Sequence, residues 1–539
     1  MRALPNLVVL VSVLVAGALA AAPSSVAADP VSTIWHLAPQ DAGTGSGTPA
    51  GPSTPAPVAP PSVEVEPLLG DVAGPARAVT LPDVLALMVR TSPALAQAKI
   101  DREIAQIAVE RAQTWKDWAV GADLDVSSRG ASGRDGQSTT ITLGGDASRL
   151  LSTGGTIGVH ADAGWTRTPP LVSAGGDATN VYTENITATI VQPLMRGRGE
   201  ELILAAERGA RYDLDAVALA ERATAISAVQ AVVLGYFDLA EAESNLAIQR
   251  SSLDLARERL RVTLAGIKAG GVAESETISV EQAIATREEA VMQSELTVIN
   301  ASLALRRLIG MEIGPGQVAL TSKIDLAVPA RTWNSATLIE QALAFSPELA
   351  RLASLDAGAA LDIEVTENGL LPRLDASLTF GPSGVGTDLG AATKNLVTFD
   401  DFTAVGSLSY RTTLGERAAH ADVRSARARR EKIRVTGDDI RRQIVQAVSS
   451  SVAQVQAAER RFGIAARAVK LAEKNLAVEQ ARLGLGRSRN VDVLIRQDEL
   501  RAAQLRASQA VLDWHRAATS IAALTGELLP TYGITISDR

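Results

Sequence analysis

The chain has 539 residues, of which 46% are hydrophobic and 21% charged, with a formal net charge of −8. It contains no cysteine, which excludes disulfides, thiolate metal sites and a lipid-anchoring cysteine. The acidic balance lacks the clustered Lys and Arg that nucleic-acid binding demands.

The first element reads as a signal peptide at 1–28. Arg2 is a short positive region, Leu7 to Ala22 an apolar run, and Val26-Ala27-Ala28 a small-residue cleavage site before Asp29. The run is shorter than the roughly 20 apolar residues of a membrane span. Residues 29–78 are rich in Pro, Gly, Ala, Ser and Thr, as in Thr48-Pro49-Ala50-Gly51-Pro52. Such a segment buries too little apolar surface to offset its ordering entropy and reads as a flexible leader. No later stretch reads as long and apolar enough to cross a bilayer as a helix. Membrane insertion would therefore fall to β-strands, because only helices and closed barrels satisfy the backbone in lipid.

A first repeat is expected over 79–314, a connector at 315–336, a second repeat over 337–528 and a tail at 529–539. Ser92-Pro93 and Ser346-Pro347 each open a helix, with serine at the N-cap and proline at the first helical position. Strand-like segments follow at about 120–128, 138–148, 155–166 and 182–191 in the first repeat, and at about 372–381 and 402–411 in the second. Phe402, Ala404, Leu408 and Tyr410 share one face, with Thr403, Ser407 and Ser409 on the other. A barrel strand around water has this pattern, and so does a soluble sandwich with one wet face. Gly130 to Gln137, Pro169 to Asn180 and Pro382 to Lys394 read as solvent-exposed loops. The first repeat holds about one hairpin more than the second.

Long helical hairpins are expected at about 197–310 and 416–526, because no proline occurs between Pro193 and Pro315 or between Pro382 and Pro530. Leu239, Leu246, Leu253, Leu260 and Ile267 recur every seven residues, and so do Val455, Phe462, Val469, Leu476 and Leu483. The two sets are offset by a constant 216 positions, an internal duplication in which Gly270 matches Gly486. Six strands are fewer than the roughly eight that close a barrel, so oligomerisation is expected.

The order of elements, the duplication, and the segments Val191-Gln192-Pro193-Leu194-Met195-Arg196-Gly197 and Gly484-Leu485-Gly486-Arg487-Ser488-Arg489-Asn490-Val491-Asp492-Val493-Leu494 resemble the TolC family of outer-membrane efflux proteins. The resemblance spans about 79–528. It implies an α+β membrane protein in which a trimeric transmembrane β-barrel continues into a long periplasmic α-helical coiled-coil barrel. It further implies an outer-membrane location with the helices in the periplasm, and the role of a channel in a tripartite efflux or type I secretion system. The implied partners are two sister chains, a periplasmic adaptor (membrane fusion) protein, an inner-membrane pump and outer-membrane lipid. By similarity the adaptor docks where the helices reverse, at Gly270, Gly271 and Val272 and at Gly486 and Ser488. Asp492 matches the first of two gate aspartates of the family, and Ile495 stands where the second would be. Glu276 is the counterpart of Asp492 in the first repeat. Three copies of both would form an acidic ring; alternatively Asp492 pairs with Arg487, Arg489 or Arg496 on a helix surface.

No phosphate-binding Gly-Lys loop, HExxH or Gly-x-Ser-x-Gly motif occurs. His36, His160, His420 and His515 are far apart and not spaced as metal ligands. Neither an enzymatic activity nor a cofactor is expected. A periplasmic coiled-coil scaffold without a barrel is the competing reading, and a passive porin is disfavoured by the long heptads.

Overall fold

The structure, a computed structural model, describes residues 74–130, 132, 134–172, 176–311, 318–322 and 331–534. The signal, most of the leader and the end of the tail lie outside the described residues. Strand β1 (Gly74–Val79) begins within the segment read as leader and pairs in parallel with β6 (Val318–Ser322), inside the expected connector. Helix α1 (Leu81–Thr91) and helix α2 (Pro93–Ala112) follow, separated by Ser92. Ser92 is an N-cap without a side-chain hydrogen bond, whereas Ser346 makes one, accepting from the Leu349 N–H at 3.3 Å.

Four strands come next: β2 (Ala119–Gly130), β3 (Gln137–Leu150), β4 (Thr156–Thr168) and β5 (Thr179–Pro193). A short helix α3 (Glu200–Ile203) leads into α4 (Ala205–Lys268), whose 64 residues extend about 96 Å at 1.5 Å per residue. It reverses into α5 (Glu276–Ile309). The second half runs α6 (Ser335–Phe345), α7 (Pro347–Asn368), β7 (Arg373–Gly386), α8 (Leu389–Thr398) and β8 (Asp401–Arg411). The hairpin α9 (Arg417–Gly484) and α10 (Asn490–Thr525) completes it, with a last turn α11 (Leu528–Thr531).

Three apolar clusters hold the helices together. In the largest, Val84, Leu85 and Met88 of α1 meet Val229, Val232, Val233 and Tyr236 of α4, Leu305 and Ile309 of α5, and Leu512 of α10. The Tyr236 hydroxyl donates to the Val79 carbonyl at 3.0 Å, so its one polar atom is satisfied in the core. A second cluster joins α6, α9 and α10 around Val448, Val452, Trp514 and Ile521. The third seals the far part of the second hairpin through Leu476, Val493 and Leu500. Heptad residues Leu239, Leu246, Leu253, Val455 and Leu476 are buried, while Leu260, Ile267, Phe462, Val469 and Leu483 are only half-buried.

Two expectations are corrected. An 18-residue window within α4 reaches a mean hydropathy of 1.5, so one helix after the signal is long and apolar enough to cross a membrane by length and composition. That helix faces α1, α5 and α10 at once, and apolar residues are needed around much of its circumference. The segment Pro382 to Lys394 is not a plain loop, because β7 continues to Gly386 and α8 begins at Leu389. Asp388 caps α8 by accepting from the Ala391 N–H at 2.9 Å, and Ala392 and Leu396 seat the helix on β7.

Candidate functional site

Two regions carry the features that the sequence singles out: the six-stranded sheet and the tips of the helical hairpins.

The sheet is one antiparallel meander in the order β2-β3-β4-β5-β7-β8. The additional hairpin of the first half therefore lies in the same sheet, joined by the short reversal at Leu151, where the Leu151 N–H donates to the Gly155 carbonyl at 2.7 Å. The junctions with α2, α3, α7 and α9 lie at one end of the sheet, together with this reversal. The other end carries the longer connections between β2 and β3, β4 and β5, and β7 and β8.

Register keeps the two faces chemically distinct across all six strands. One face carries Val120, Leu124 and Val126 beside Ile141 and Leu143, then Ile157, Val159 and Trp165, then Tyr182, Ile186 and Ile190. It continues through Leu374, Leu378 and Phe380 to Phe402, Leu408 and Tyr410. A slip of one residue in any hairpin would have broken this continuity, since successive side chains point to opposite faces. Val120, Leu124, Phe402 and Leu408 are each more than 60% exposed, so within one chain the face is open on the two edge strands.

The other face is polar. One row across the strands reads Asp123, Gly144, Asp162, Asn185, Ser383 and Asp401. The neighbouring row brings Asp146 beside His160 and Thr187. Asn185 Nδ2 donates to Asp162 at 3.0 Å, and His160 Nε2 lies 3.5 Å from the same carboxylate. Arg129, Arg373 and Arg411 of this face stand at strand ends, leaving the middle acidic. The sequence reading missed this row. The alternation Gly121, Asp123, Asp125 against Val120, Ala122, Leu124 carried the signal, but which carboxylates share a row depends on register.

At the first tip Gly270 has φ +76°, and the Gly271 N–H donates to the Gly266 carbonyl at 3.0 Å. Val272 folds back over Gly266. At the second tip Gly486 has φ +70°, and the Arg487 N–H donates to the Arg482 carbonyl at 2.9 Å. Both bonds close the same helix-ending motif with glycine in the left-handed conformation, and they are separated by the same 216 positions as the heptads. Glu276 is the first residue of α5 and Asp492 lies in the first turn of α10, the positive end of each helix dipole.

Among the described residues no guanidinium lies within ion-pair distance of Asp492, although its charge acts on Arg496. Its carboxylate accepts from the Arg489 backbone N–H at 3.2 Å, and the Ser488 hydroxyl oxygen lies 3.4 Å away. Arg496 is held by Glu499 at 2.7 Å, and that bond raises its pKa above the ordinary guanidinium value, with the Glu499 charge adding to it. Arg487 and Arg489 are exposed beside the tip. The Ser488 hydroxyl donates its proton to Glu479 at 2.5 Å, tying the turn back to α9. Ile495 is exposed one turn beyond Asp492.

Arg287 went unnoticed in the sequence. It is 3% exposed and bridges the two hairpins, donating to the Ser252 carbonyl at 3.2 Å and to Gln497 Oε1 at 3.0 Å. Its other nitrogen reaches Asp498 at 3.2 Å. The position 216 residues later is Ala503, so this latch exists in one hairpin and not the other.

Residues 338–527 match the family described as outer membrane efflux protein. No characterised protein matches the chain by sequence. Among solved structures, CusC aligns with a TM-score of 0.62 at 13% identity, over 83% of this chain and 91% of its own. The outer membrane protein VceC of Vibrio cholerae aligns at 0.61 and 14% identity, over 83% and 96%. The open state of the MtrE outer membrane channel of Neisseria gonorrhoeae aligns at 0.61 and 14% identity, over 85% and 91%.

Proposed function

We propose that this chain, with its outer membrane efflux protein domain carried on the fold of solved outer-membrane channels, is the outer-membrane duct of a tripartite efflux or type I secretion system. One observation carries the reading: an apolar face continuous over six antiparallel strands, ending in two unpaired edges, on helical hairpins about 100 Å long. Open edges are not tolerated in lipid, so the sheet must close with other copies. β2 and β8 run in opposite directions, so β8 of one copy can continue the antiparallel ladder into β2 of the next. Three copies of a six-stranded sheet give eighteen strands, a size that encloses an aqueous channel.

In this assembly the apolar face meets lipid, and the Asp-, Thr- and Ser-bearing face lines water. The two halves of the chain act as duplicated units whose four long helices extend the wall into the periplasm. The tips at Gly270, Gly271, Val272, Gly486 and Ser488 offer the docking point for an adaptor that links to an inner-membrane pump. Asp492 and Glu276, one from each tip, form the acidic constriction, with Arg487 and Arg489 at its rim. The protein moves cargo and performs no reaction.

Planar-bilayer recording of the purified oligomer tests this. Cation-preferring channels, with the protein recovered in outer membranes as a heat-modifiable oligomer, are the expected result. A monomer in the soluble periplasmic fraction that forms no channels would favour the scaffold reading and overturn this one.

A further inference from the structure

The connection between β7 and β8 contains a helix where a short loop would suffice. Helix α8 lies against β7 and β5 at the end of the sheet remote from the long helices. It sits on the apolar face: Gly384 and Gly386 share that face with Leu378 and Phe380, and a Cβ on either would collide with the backbone of Ala392. Ala392 is fully buried, Leu396 is 7% exposed, and Asn395 Nδ2 donates to the Val385 carbonyl at 2.8 Å. The Thr393 hydroxyl donates to Glu184 at 2.9 Å, and Glu184 is the one carboxylate among the residues of this face quoted above and their register neighbours on β5. The helix thus covers a carboxylate that lipid would penalise there.

The helix leaves apolar side chains uncovered at both of its ends. Leu389, Val397 and Phe399 are 55%, 59% and 52% exposed. Phe399 caps the helix at φ +58°, in the left-handed region that a helix end ordinarily gives to glycine or asparagine. An aromatic held there gains little burial within its own chain, so its benefit lies in contact outside it. Lys394 is exposed on the same helix.

We propose that α8 is an interfacial collar, a helix lying in the headgroup layer of the outer leaflet with Leu389, Val397 and Phe399 dipping into the acyl boundary. The inference rests on the barrel reading above. Two features favour lipid as the occupant: the patch is continuous with the apolar band of the sheet, and Lys394 places an ammonium at the depth of lipid phosphates. Exposed apolar side chains with one snorkelling cation are the composition of a helix that lies in an interface and does not cross it. In three copies the collars would ring the rim and fix how deeply the barrel sits.

The absence of cysteine makes a clean test possible. Val397→Cys and Leu389→Cys, both at exposed positions, are each labelled with an environment-sensitive fluorophore in the oligomer, reconstituted into phosphatidylcholine vesicles. Leu408→Cys serves as the control for the band and Thr403→Cys as the control for the polar face. Nitroxide lipids labelled near the headgroup should quench positions 397 and 389 several-fold more than position 403, while iodide quenches them several-fold less. Lipid quenching at 408 with free iodide access at 397 and 389 would overturn the collar and leave the barrel standing. Shielding of 397 and 389 from both quenchers would place a neighbouring copy there and likewise overturn it. Loss of lipid quenching at 408 itself would remove the barrel reading and the collar together.

Discussion

At the scale of single residues, Asp492 combines two roles that substitution can separate. It caps α10 through the Arg489 N–H, and it carries the charge assigned to the constriction. Asp492→Asn retains an oxygen that can accept the hydrogen bond but removes the charge. Asp492→Ala removes both, with about 1 kcal/mol lost from the helix start. Both variants are expected to reduce cation block in planar bilayers, and only the alanine variant to lower stability. A cation block unchanged in the asparagine variant would remove Asp492 from the gate.

The Asp356–Arg430 pair makes a second test at this scale. Two guanidinium nitrogens reach the two carboxylate oxygens at 2.9 Å, joining α7 to α9. The hydrogen bond from Arg430 holds the Asp356 carboxyl below its ordinary pKa, against an opposing effect of burial. A depressed pKa means that the stabilisation is complete above the unfolded carboxylate value, about 3.9, and is lost as pH falls through the lower folded value. Asp356→Asn should cost about 1 kcal/mol at neutral pH. The difference from the unsubstituted protein should vanish in strong acid, as read from thermal unfolding against pH.

At the scale of elements, the two long hairpins are built alike and fastened differently. Arg287 of α5 ties the first hairpin to α10, whereas the corresponding Ala503 of the second only fills space. Arg287→Met leaves the buried Gln497 oxygen without the Arg287 donor and removes the second donor to the Ser252 carbonyl, at about 2 kcal/mol. Asp498 is 53% exposed on its side chain, so water replaces its partner and Asp498→Asn should cost less than about 1 kcal/mol. Denaturant unfolding of both variants measures the contrast. Equal losses would mean that the ion pair, and not the buried hydrogen bonds, holds the hairpins together.

Among the strands, alternation was legible wherever a run was long enough, and the observed bounds extend the expected ones by a few residues. The fate of 382–394 was not legible. Gly, Pro, Ser and Asp in that stretch are loop formers by local preference, yet the same glycines let a helix approach β7. A close approach of two backbones is a tertiary fact, and the local composition reads the same with or without it.

At the scale of the whole molecule, the hairpin formed by β3 and β4 lies within the sheet, between β2 and β5, so in the proposed barrel it would set circumference and not act as a lid. Removing residues 131–178 would join β2 to β5 and preserve the direction of the chain. Three copies would then close with twelve strands. Because barrel diameter grows roughly linearly with strand number, it should fall to about two-thirds. Electron microscopy of the purified oligomer would measure this, and an unchanged diameter would show that the hairpin stands outside the wall.

The sequence by itself determined the long helices, their seams, the two glycine reversals and the alternation of the strands. Each of these follows from a period or a local backbone preference, and such signals need no knowledge of distant partners. Only the tertiary structure decided which strands are neighbours, that one apolar face runs unbroken from Val120 to Tyr410, and that Asp123, Asp162 and Asp401 fall in one row. It alone placed Arg287 between hairpins and laid α8 over Glu184. These depend on pairings between residues tens or hundreds of positions apart. Cross-strand register and helix docking are properties of the space between segments, and no single segment carries them.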